Sequence, residues 1–386
     1  MYYLIKIIFS FFLFFIFFTT FSSGKESHNC STALFSIDSN FSSGSQSKCE
    51  VINKDYIRLY ISPEDEEVKN PSPWFAFRKS PHKEKIFVEL YYTESKHRYN
   101  PKKSFDLVDW KRISESNIKI FEDNKKAVIS FKPSNLPVYV SAQEVIAYNW
   151  YNNWIESLDS SYKLKKSVIG HSLQGREIIK LEAIKDKENP YILLVGRQHP
   201  PEVSGAIALT SFVSSIFSQG ELSQKFLDNY NILILPFLNP DGVENGHWRH
   251  NKGKKDLNRD WGFFTQPETK AVEVELEKFY STNQLILFLD FHSTFYNRFY
   301  IQHESEISKL PNFTKTWLSR SKELLEDYQF SVDPRLSTNN GVSKNYIFTK
   351  FKVPAVTYEV GDETDRELVK QSSITFAREM MKILLE

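Results

Sequence analysis

The stretch "VGRQHPPEVSG" runs from Val195 to Gly205, between the short apolar run "YILLV" and the longer one "AIALTSFVSSIF". A short continuous apolar run reads as a buried strand and a longer one as a helix, so these eleven residues are a strand-to-helix turn. The turn carries His199 and Glu202, three apart and next to Pro200 and Pro201. Such a turn can aim both side chains at one point, and imidazole and carboxylate are zinc ligands there. Taken alone, a His-x-x-Glu pair is more often ordinary surface polarity.

Working outward, "YNILILPFL", "LILFLDFH" and "PAVTYEV" repeat the apolar strand pattern. Helical patterns lie between them, at Gly205–Phe217, Pro267–Tyr280, Phe313–Asp327 and from Asp365 to the end. Apolar strands alternating with helices imply an α/β fold, with a mixed, mostly parallel sheet sandwiched by helices. We assign it residues 141–386. "VIGHSLQGREIIKLEAI" reads as a hairpin at its edge. In such sheets, reactive residues collect on loops at the carboxyl ends of strands.

Upstream the pattern differs. Residues 49–140 contain short alternating runs such as "YIRLYI", "IFVELYY" and "KAVISF", separated by turn residues. They are read as a small antiparallel β-sandwich, with "FEDNKKAVISF" as one hairpin. Ser141, three before Glu144, is expected to form a capping box for the helix that follows. Residues 25–48 are rich in Ser and Asn and are read as a linker. Residues 1–24 combine Lys6, the run "IIFSFFLFFIFFTTF" and the small residues "SSG". These features read as a secretory signal peptide or, if uncleaved, a membrane anchor. The expected location is therefore secreted or periplasmic, with membrane contact only through that segment. Cys30 and Cys49 are the only cysteines. In an exported chain they can pair, or remain two free thiols. Asn29, Asn40 and Asn312 fit the N-glycosylation pattern, which matters only in a host that glycosylates.

The 386 residues allow one large domain or two ordinary ones, and a net charge of +1 gives no electrostatic case for a nucleic-acid partner.

Chemistry-bearing residues gather where the strands end. His292 closes "LILFLDFHST", so two histidines and one carboxylate are available for a catalytic zinc with an open fourth position. Glu359 is an acidic residue inside the strand-like "AVTYEV", which is unusual unless it faces a site. The loop "NPDGVENGHWRHNKGKKDLNRDW" supplies Arg249, Asn258 and Arg259. Guanidinium groups suit a fork on a substrate carboxylate or the stabilisation of an oxyanion.

In order along the chain, "HPPE", "NPDG", "WRHN", "DLNRDW", "DFHS" and "TYEVGDE" resemble the zinc metallocarboxypeptidases, which include the pancreatic carboxypeptidases A and B and the cytosolic carboxypeptidases. The β-domain, "SAQE" and "IGHSLQGREI" are similar to the cytosolic branch, and "TQPETKAV" is similar to murein peptide amidases of the same fold. The resemblance implies a zinc ion (Zn2+) on His199, Glu202 and His292. It implies Arg249 as the oxyanion residue, Asn258 and Arg259 as binders of a terminal carboxylate, and Glu359 as general base and acid. A tyrosine that caps the bound carboxylate is expected, with Tyr346 in "SKNYIF" as the candidate. The implied activity is removal of the last residue from a peptide or protein C-terminus. The same ligands would serve an amidase on cell-wall peptides or a deacylase, and a non-catalytic binding module is the remaining alternative. Asn339, Asn340, Lys344, Lys350 and Lys352 precede Glu359 and are expected near the pocket for the last side chain. A lysine pointing into it would favour acidic termini, whereas solvated lysines would not.

Overall fold

The computed structural model describes residues 29–45, 48–158 and 164–386. The segment read as a signal peptide or anchor, residues 1–24, lies outside them. Among the described residues no helix is long and apolar enough to cross a membrane.

The N-terminal part is built from two sheets. One contains β1 (Cys30–Ser31), β2 (Ser36–Asp38), β5 (Ala76–Lys79), β11 (Val138–Ser141), β7 (Lys102–Ser104) and β8 (Lys111–Arg112), in that order across the sheet. The other runs β3 (Lys48–Asn53), β4 (Tyr56–Ile61), β6 (Ile86–Tyr92), β10 (Lys126–Phe131) and β9 (Ile118–Phe121). Its β4–β6 pair is parallel, and β9–β10 is the expected antiparallel hairpin. Alternation explains the packing: in β4, Ile57, Leu59 and Ile61 are buried while their neighbours are half-exposed.

Two expectations fail here. Residues 30–45 do not behave as a linker, because β1 and β2 belong to the first sheet. Two apolar side chains, Phe35 and Ile37, enter the core, and hydroxyls fix the turns around them. Thr32 Oγ1 accepts from the Phe35 N–H at 3.2 Å, and Ser80 Oγ accepts from the Ser36 N–H at 2.9 Å. Cys30 and Cys49 form a disulfide that ties β1 to β3, and so one sheet to the other. Nor does Ser141 cap a helix. It ends β11, and α1 (Tyr148–Ser157) starts seven residues later behind Ala147. Glu144 instead accepts two hydrogen bonds from Arg366, each at 3.0 Å.

The second part is a mixed sheet of β12 (Lys165–His171), β13 (Glu177–Ala183), β15 (Asn231–Leu235), β14 (Tyr191–Gly196), β16 (Leu285–Thr294), β19 (Ala355–Gly361), β17 (Arg298–Gln302) and β18 (Ser331–Arg335), in that order. β15, β14, β16 and β19 are mutually parallel at the centre, and β12–β13 is the expected hairpin. The alternation in β14 sends Ile192 and Leu194 to one core and Tyr191, Leu193 and Val195 to the other. Burial on both faces is why the central strands read as unbroken apolar runs. One face is covered by α2 (Val203–Ile216), α3 (Glu221–Asn229), α7 (Phe313–Leu324) and α9 (Arg366–Leu385). The other is covered by α5 (Pro267–Glu277), α6 (Phe279–Thr282) and α8 (Ser343–Phe351). A short α4 (Pro240–Asn245) follows β15. The first of these cores is continuous with the core of the two N-terminal sheets, through residues such as Trp74, Tyr151, Phe237 and Trp248.

Candidate active site

The turn at Val195–Gly205 is rigid for identifiable reasons. Arg197 adopts a left-handed backbone, with φ of 55°, and its Nε donates to the Pro200 carbonyl at 2.9 Å. Gly205 then lets α2 lie directly on β16, since a Cβ there would meet the His292 carbonyl oxygen at 2.5 Å. Its N–H donates to Ser293 Oγ at 2.8 Å. That close approach brings the helix start carrying Glu202 against the strand carrying His292. His199, Glu202 and His292 thereby converge, and one ligand atom from each lies within 4.8 Å of the others. Both Nδ1 atoms face the Glu202 carboxylate, at 2.8 Å from His199 and 2.7 Å from His292.

The outer ring nitrogens meet carboxylates. His199 Nε2 lies 2.9 Å from Asp256 Oδ1, and His292 Nε2 lies 2.9 Å from Asp290 Oδ2. A carboxylate behind a metal-binding histidine fixes its orientation and raises its basicity as a ligand, and each of these imidazoles has one. Asp290 is itself held by Gln198 Nε2 at 2.7 Å and by the Ser343 hydroxyl. Burial and nearby Arg249 work against charging His199, but Glu202 and Asp256 outweigh them and push its pKa up. Burial likewise opposes charge on His292, and Asp290 with Glu202 outweighs it. Burial also opposes ionising Glu202, yet the two imidazoles hold its carboxyl far below the usual range. So much buried negative charge around two imidazoles suits a divalent cation, and two nitrogens with one carboxylate are the donor set of catalytic zinc.

Glu359 lies beside this centre because β16 and β19 are in register, with His292 directly opposite Glu359. Its Oε2 is buried and has no hydrogen-bond partner. Burial pushes its pKa up to about 7, with His292 opposing and Glu202 adding to the rise. An orphaned carboxylate oxygen on this strand therefore points to chemistry rather than to structure.

The loop after α4 supplies the remaining groups. α4 is set by "NPDG": Asn239 caps it, accepting from the Gly242 N–H at 2.9 Å, and Pro240 occupies its first turn. Gly246, at φ of 65°, ends it and turns the chain back toward the site. Arg249 Nε donates to Asp256 Oδ2 at 2.7 Å, so Asp256 links the guanidinium to His199. Asn258 accepts from the Ser343 N–H at 2.8 Å, and its Nδ2 lies 3.3 Å from His292 Nε2. Arg249, Asn258, Arg259 and Glu359 line one cleft of about 610 Å³ with the two histidines and Glu202.

Tyr346 is not in that cleft. Its hydroxyl lies 3.0 Å from that of Tyr280, and its ring packs edge-on to Phe264 at 5.2 Å. The reason is helical: each residue of α8 turns about 100° from the last, so Lys344 faces the cleft while Tyr346 faces a separate pocket. The tyrosine that the cleft does present is Tyr300, on β17. Of the candidate lysines, Lys350 and Lys352 are exposed and lie over Tyr280 and Phe348. Lys344 is only 3% exposed and lines the cleft. Asn339 lines it too, whereas Asn340 lines the neighbouring pocket.

Sequence reasoning missed the two outer carboxylates and the sandwich's share of the cleft. Asp290 was visible: it is acidic, inside an apolar strand and two residues before His292, hence on the same face. Asp256 opens the stretch "DLNRDW", but no local pattern assigns it a role behind His199. Arg98, from the N-terminal part, reaches the cleft wall and donates to Asp362 at 2.7 Å. No periodicity announces a contact between parts so distant in sequence.

Two imidazoles and a carboxylate around one centre, an unpartnered carboxylate beside it and guanidiniums across a cleft are the site of a metal-dependent hydrolase. The model of the zinc carboxypeptidase family matches residues 151–380, and the chain belongs to that family. It is 24% identical to mouse cytosolic carboxypeptidase 6 over 372 residues, covering 89% of this chain and 66% of that protein. It is 25% identical to the Caenorhabditis elegans cytosolic carboxypeptidase 6 over 334 residues, covering 77% and 72%. The chain thus spans about two thirds of the length of the mouse relative. In fold it is similar to a metallo-carboxypeptidase from Burkholderia cenocepacia, with a TM-score of 0.75 at 19% identity over 91% of this chain and 98% of that one. The Pseudomonas aeruginosa metallo-carboxypeptidase, solved with (2-guanidinoethylmercapto)succinic acid, gives a TM-score of 0.73 at 18% identity, over 91% and 100%. The zinc, carboxypeptidase and hydrolase expectations therefore hold at the level of the family.

Proposed function

We propose that the chain removes the last residue from peptides or proteins with a free C-terminus, and that it prefers an acidic last side chain. The observation that carries this reading is the orphaned Glu359 oxygen beside the His199–Glu202–His292 group, in one cleft with Arg249, Asn258 and Arg259. A zinc ion held by those three ligands would supply a water of lowered pKa and polarise a carbonyl. Glu359 takes a proton from the attacking water and returns it to the leaving amine. A carboxylate oxygen with no hydrogen-bond partner of its own is free for both transfers. Arg249, fixed through Asp256, donates to the carbonyl oxygen as negative charge develops there. Asn258 and Arg259 hold the free carboxylate, which confines cleavage to chain ends.

Lys344 supplies the side-chain preference. Its ammonium reaches the Ile301 carbonyl at 3.4 Å, whereas the neighbouring Arg335 is already forked onto Asp333 at 2.8 and 2.7 Å. A buried ammonium left with one long hydrogen bond favours a ligand carboxylate. We place the protein outside the cytoplasm, a reading supported by the apolar leader and by the Cys30–Cys49 disulfide.

The test is Glu359→Gln, assayed for zinc content and turnover together. The expected result is one zinc per chain and turnover lowered by about a thousandfold. Robust turnover in that variant would remove Glu359 from its role. Release from muropeptides but not from plain peptides would redirect the reading to a cell-wall amidase.

A further inference from the structure

Arg249 sits on a loop that its own domain does not hold alone. The N–H groups of Trp248, Arg249 and His250 are consecutive, and all three donate to one carboxylate, that of Glu64. Trp248 donates to Oε2 at 2.7 Å, while Arg249 and His250 donate to Oε1 at 2.9 and 2.5 Å. Glu64 lies in the loop after β4, in the N-terminal sandwich. Successive N–H groups turned to one side form an anion-binding concavity, and here the anion comes from the other part of the chain. The neighbouring contacts follow the same path. His250 Nδ1 lies 2.9 Å from Asp65 Oδ2, and the Trp248 indole donates to the Trp74 carbonyl at 3.0 Å. These three acceptors all belong to residues 64–74.

Arg249 is therefore positioned from two ends. Asp256 holds its side chain at Nε, and Glu64 holds its backbone. Trp248 and His250 are 1% and 6% exposed, so removing the carboxylate would leave buried donors without an acceptor, and the loop would have to shift to satisfy them. Glu64, Asp65 and His250 also form a group that could hold a cation. Both Glu64 oxygens are spent on N–H donors, however, which argues for a brace.

We propose that Glu64 is a positioning residue for catalysis: the N-terminal sandwich acts on the reaction by fixing the Arg249 loop. This rests on the oxyanion role given to Arg249 above. The experiment is a double-mutant cycle on the full zinc-loaded chain, with Glu64→Ala, Arg249→Ala and the pair, reading kcat, KM, zinc content and melting temperature. A misplacement of about 1 Å costs on the order of a hundredfold, so Glu64→Ala should lower kcat by about that factor with zinc retained and KM changed less than about threefold. In the Arg249→Ala background the same change should lower kcat by less than about twofold, because the group it positions is gone. A purely structural role would lower melting temperature and active fraction equally in both backgrounds. Should Glu64→Ala not fold, Glu64→Gln keeps one acceptor oxygen of the two and should lose about tenfold in kcat, again only when Arg249 is present.

Wild-type kcat in a folded, zinc-loaded Glu64 variant would overturn the proposal. So would an equal loss with and without Arg249. Wild-type kcat in Arg249→Ala itself would instead sink the oxyanion role, which keeps the two failures distinct.

Discussion

Replacing Lys344 by methionine should make the protein more stable and less selective at once. Burial lowers the Lys344 pKa from its ordinary 10.5 to about 8, with Glu306 opposing the drop and Arg335 adding to it. At 1.36 kcal/mol per pKa unit, that drop corresponds to about 3 kcal/mol of destabilisation. The sign follows from the two states. Below pH 8 the ammonium is charged in both folded and unfolded chains, and the full cost is present. Between pH 8 and 10.5 the folded chain holds it neutral, and the cost fades. Lys344→Met removes the charge and keeps most of the volume, so urea denaturation near pH 7 should show a gain of up to about 3 kcal/mol, vanishing toward high pH. A hydrogen bond to a charged group is worth about 1.5–3 kcal/mol. The variant should therefore lose about ten- to a hundredfold in kcat/KM on glutamate-ended peptides and far less on glutamine-ended ones. The wild-type ratio of the two should itself fall as pH rises through about 8. An unchanged glutamate-to-glutamine ratio in Lys344→Met, or a wild-type ratio that stays flat across pH 8, would refute the assignment.

Further outcomes follow from other contacts. Asp290→Asn weakens the support behind His292 and should lower zinc affinity by about 10- to 100-fold, read by competition with a chelator. Gly205→Ala places a methyl group 2.5 Å from the His292 carbonyl oxygen; it should cost stability and weaken zinc binding together, because α2 must lift from β16. Wild-type zinc affinity in that variant would show that the helix tolerates the shift. Replacing both Cys30 and Cys49 by serine opens a span of 19 residues and should lower unfolding free energy by about 3 kcal/mol in denaturant, with kcat unchanged.

Much of the catalytic half was legible because its signals are local. An apolar strand buried on both faces reads as a run, and His292 and Glu359 stood out as polar residues where such runs end. The same logic should have flagged Asp290. What escaped was set by tertiary context. Residues 25–48 read as a linker because the short strands β1 and β2 within them, pinned by hydroxyls and a disulfide, need few apolar side chains. Ser141 and Glu144 had capping-box spacing, but Ser141 pairs in β11 and Glu144 meets Arg366, more than two hundred residues away. Tyr346 and Lys344 are two residues apart on one helix, and composition alone cannot say which of them faces the cleft. Glu64 reaches the Arg249 loop and Arg98 reaches the cleft only because the two parts share a boundary.

The most direct measurement is mass-resolved digestion of one glutamate-ended peptide in two forms, with a free and with an amidated C-terminus. The account predicts that the free form becomes shorter by a single terminal residue, that this stops when zinc is stripped and returns when it is restored, and that the amidated form stays intact. Equal cleavage of both forms, or fragments cut from the interior of the peptide, would contradict it.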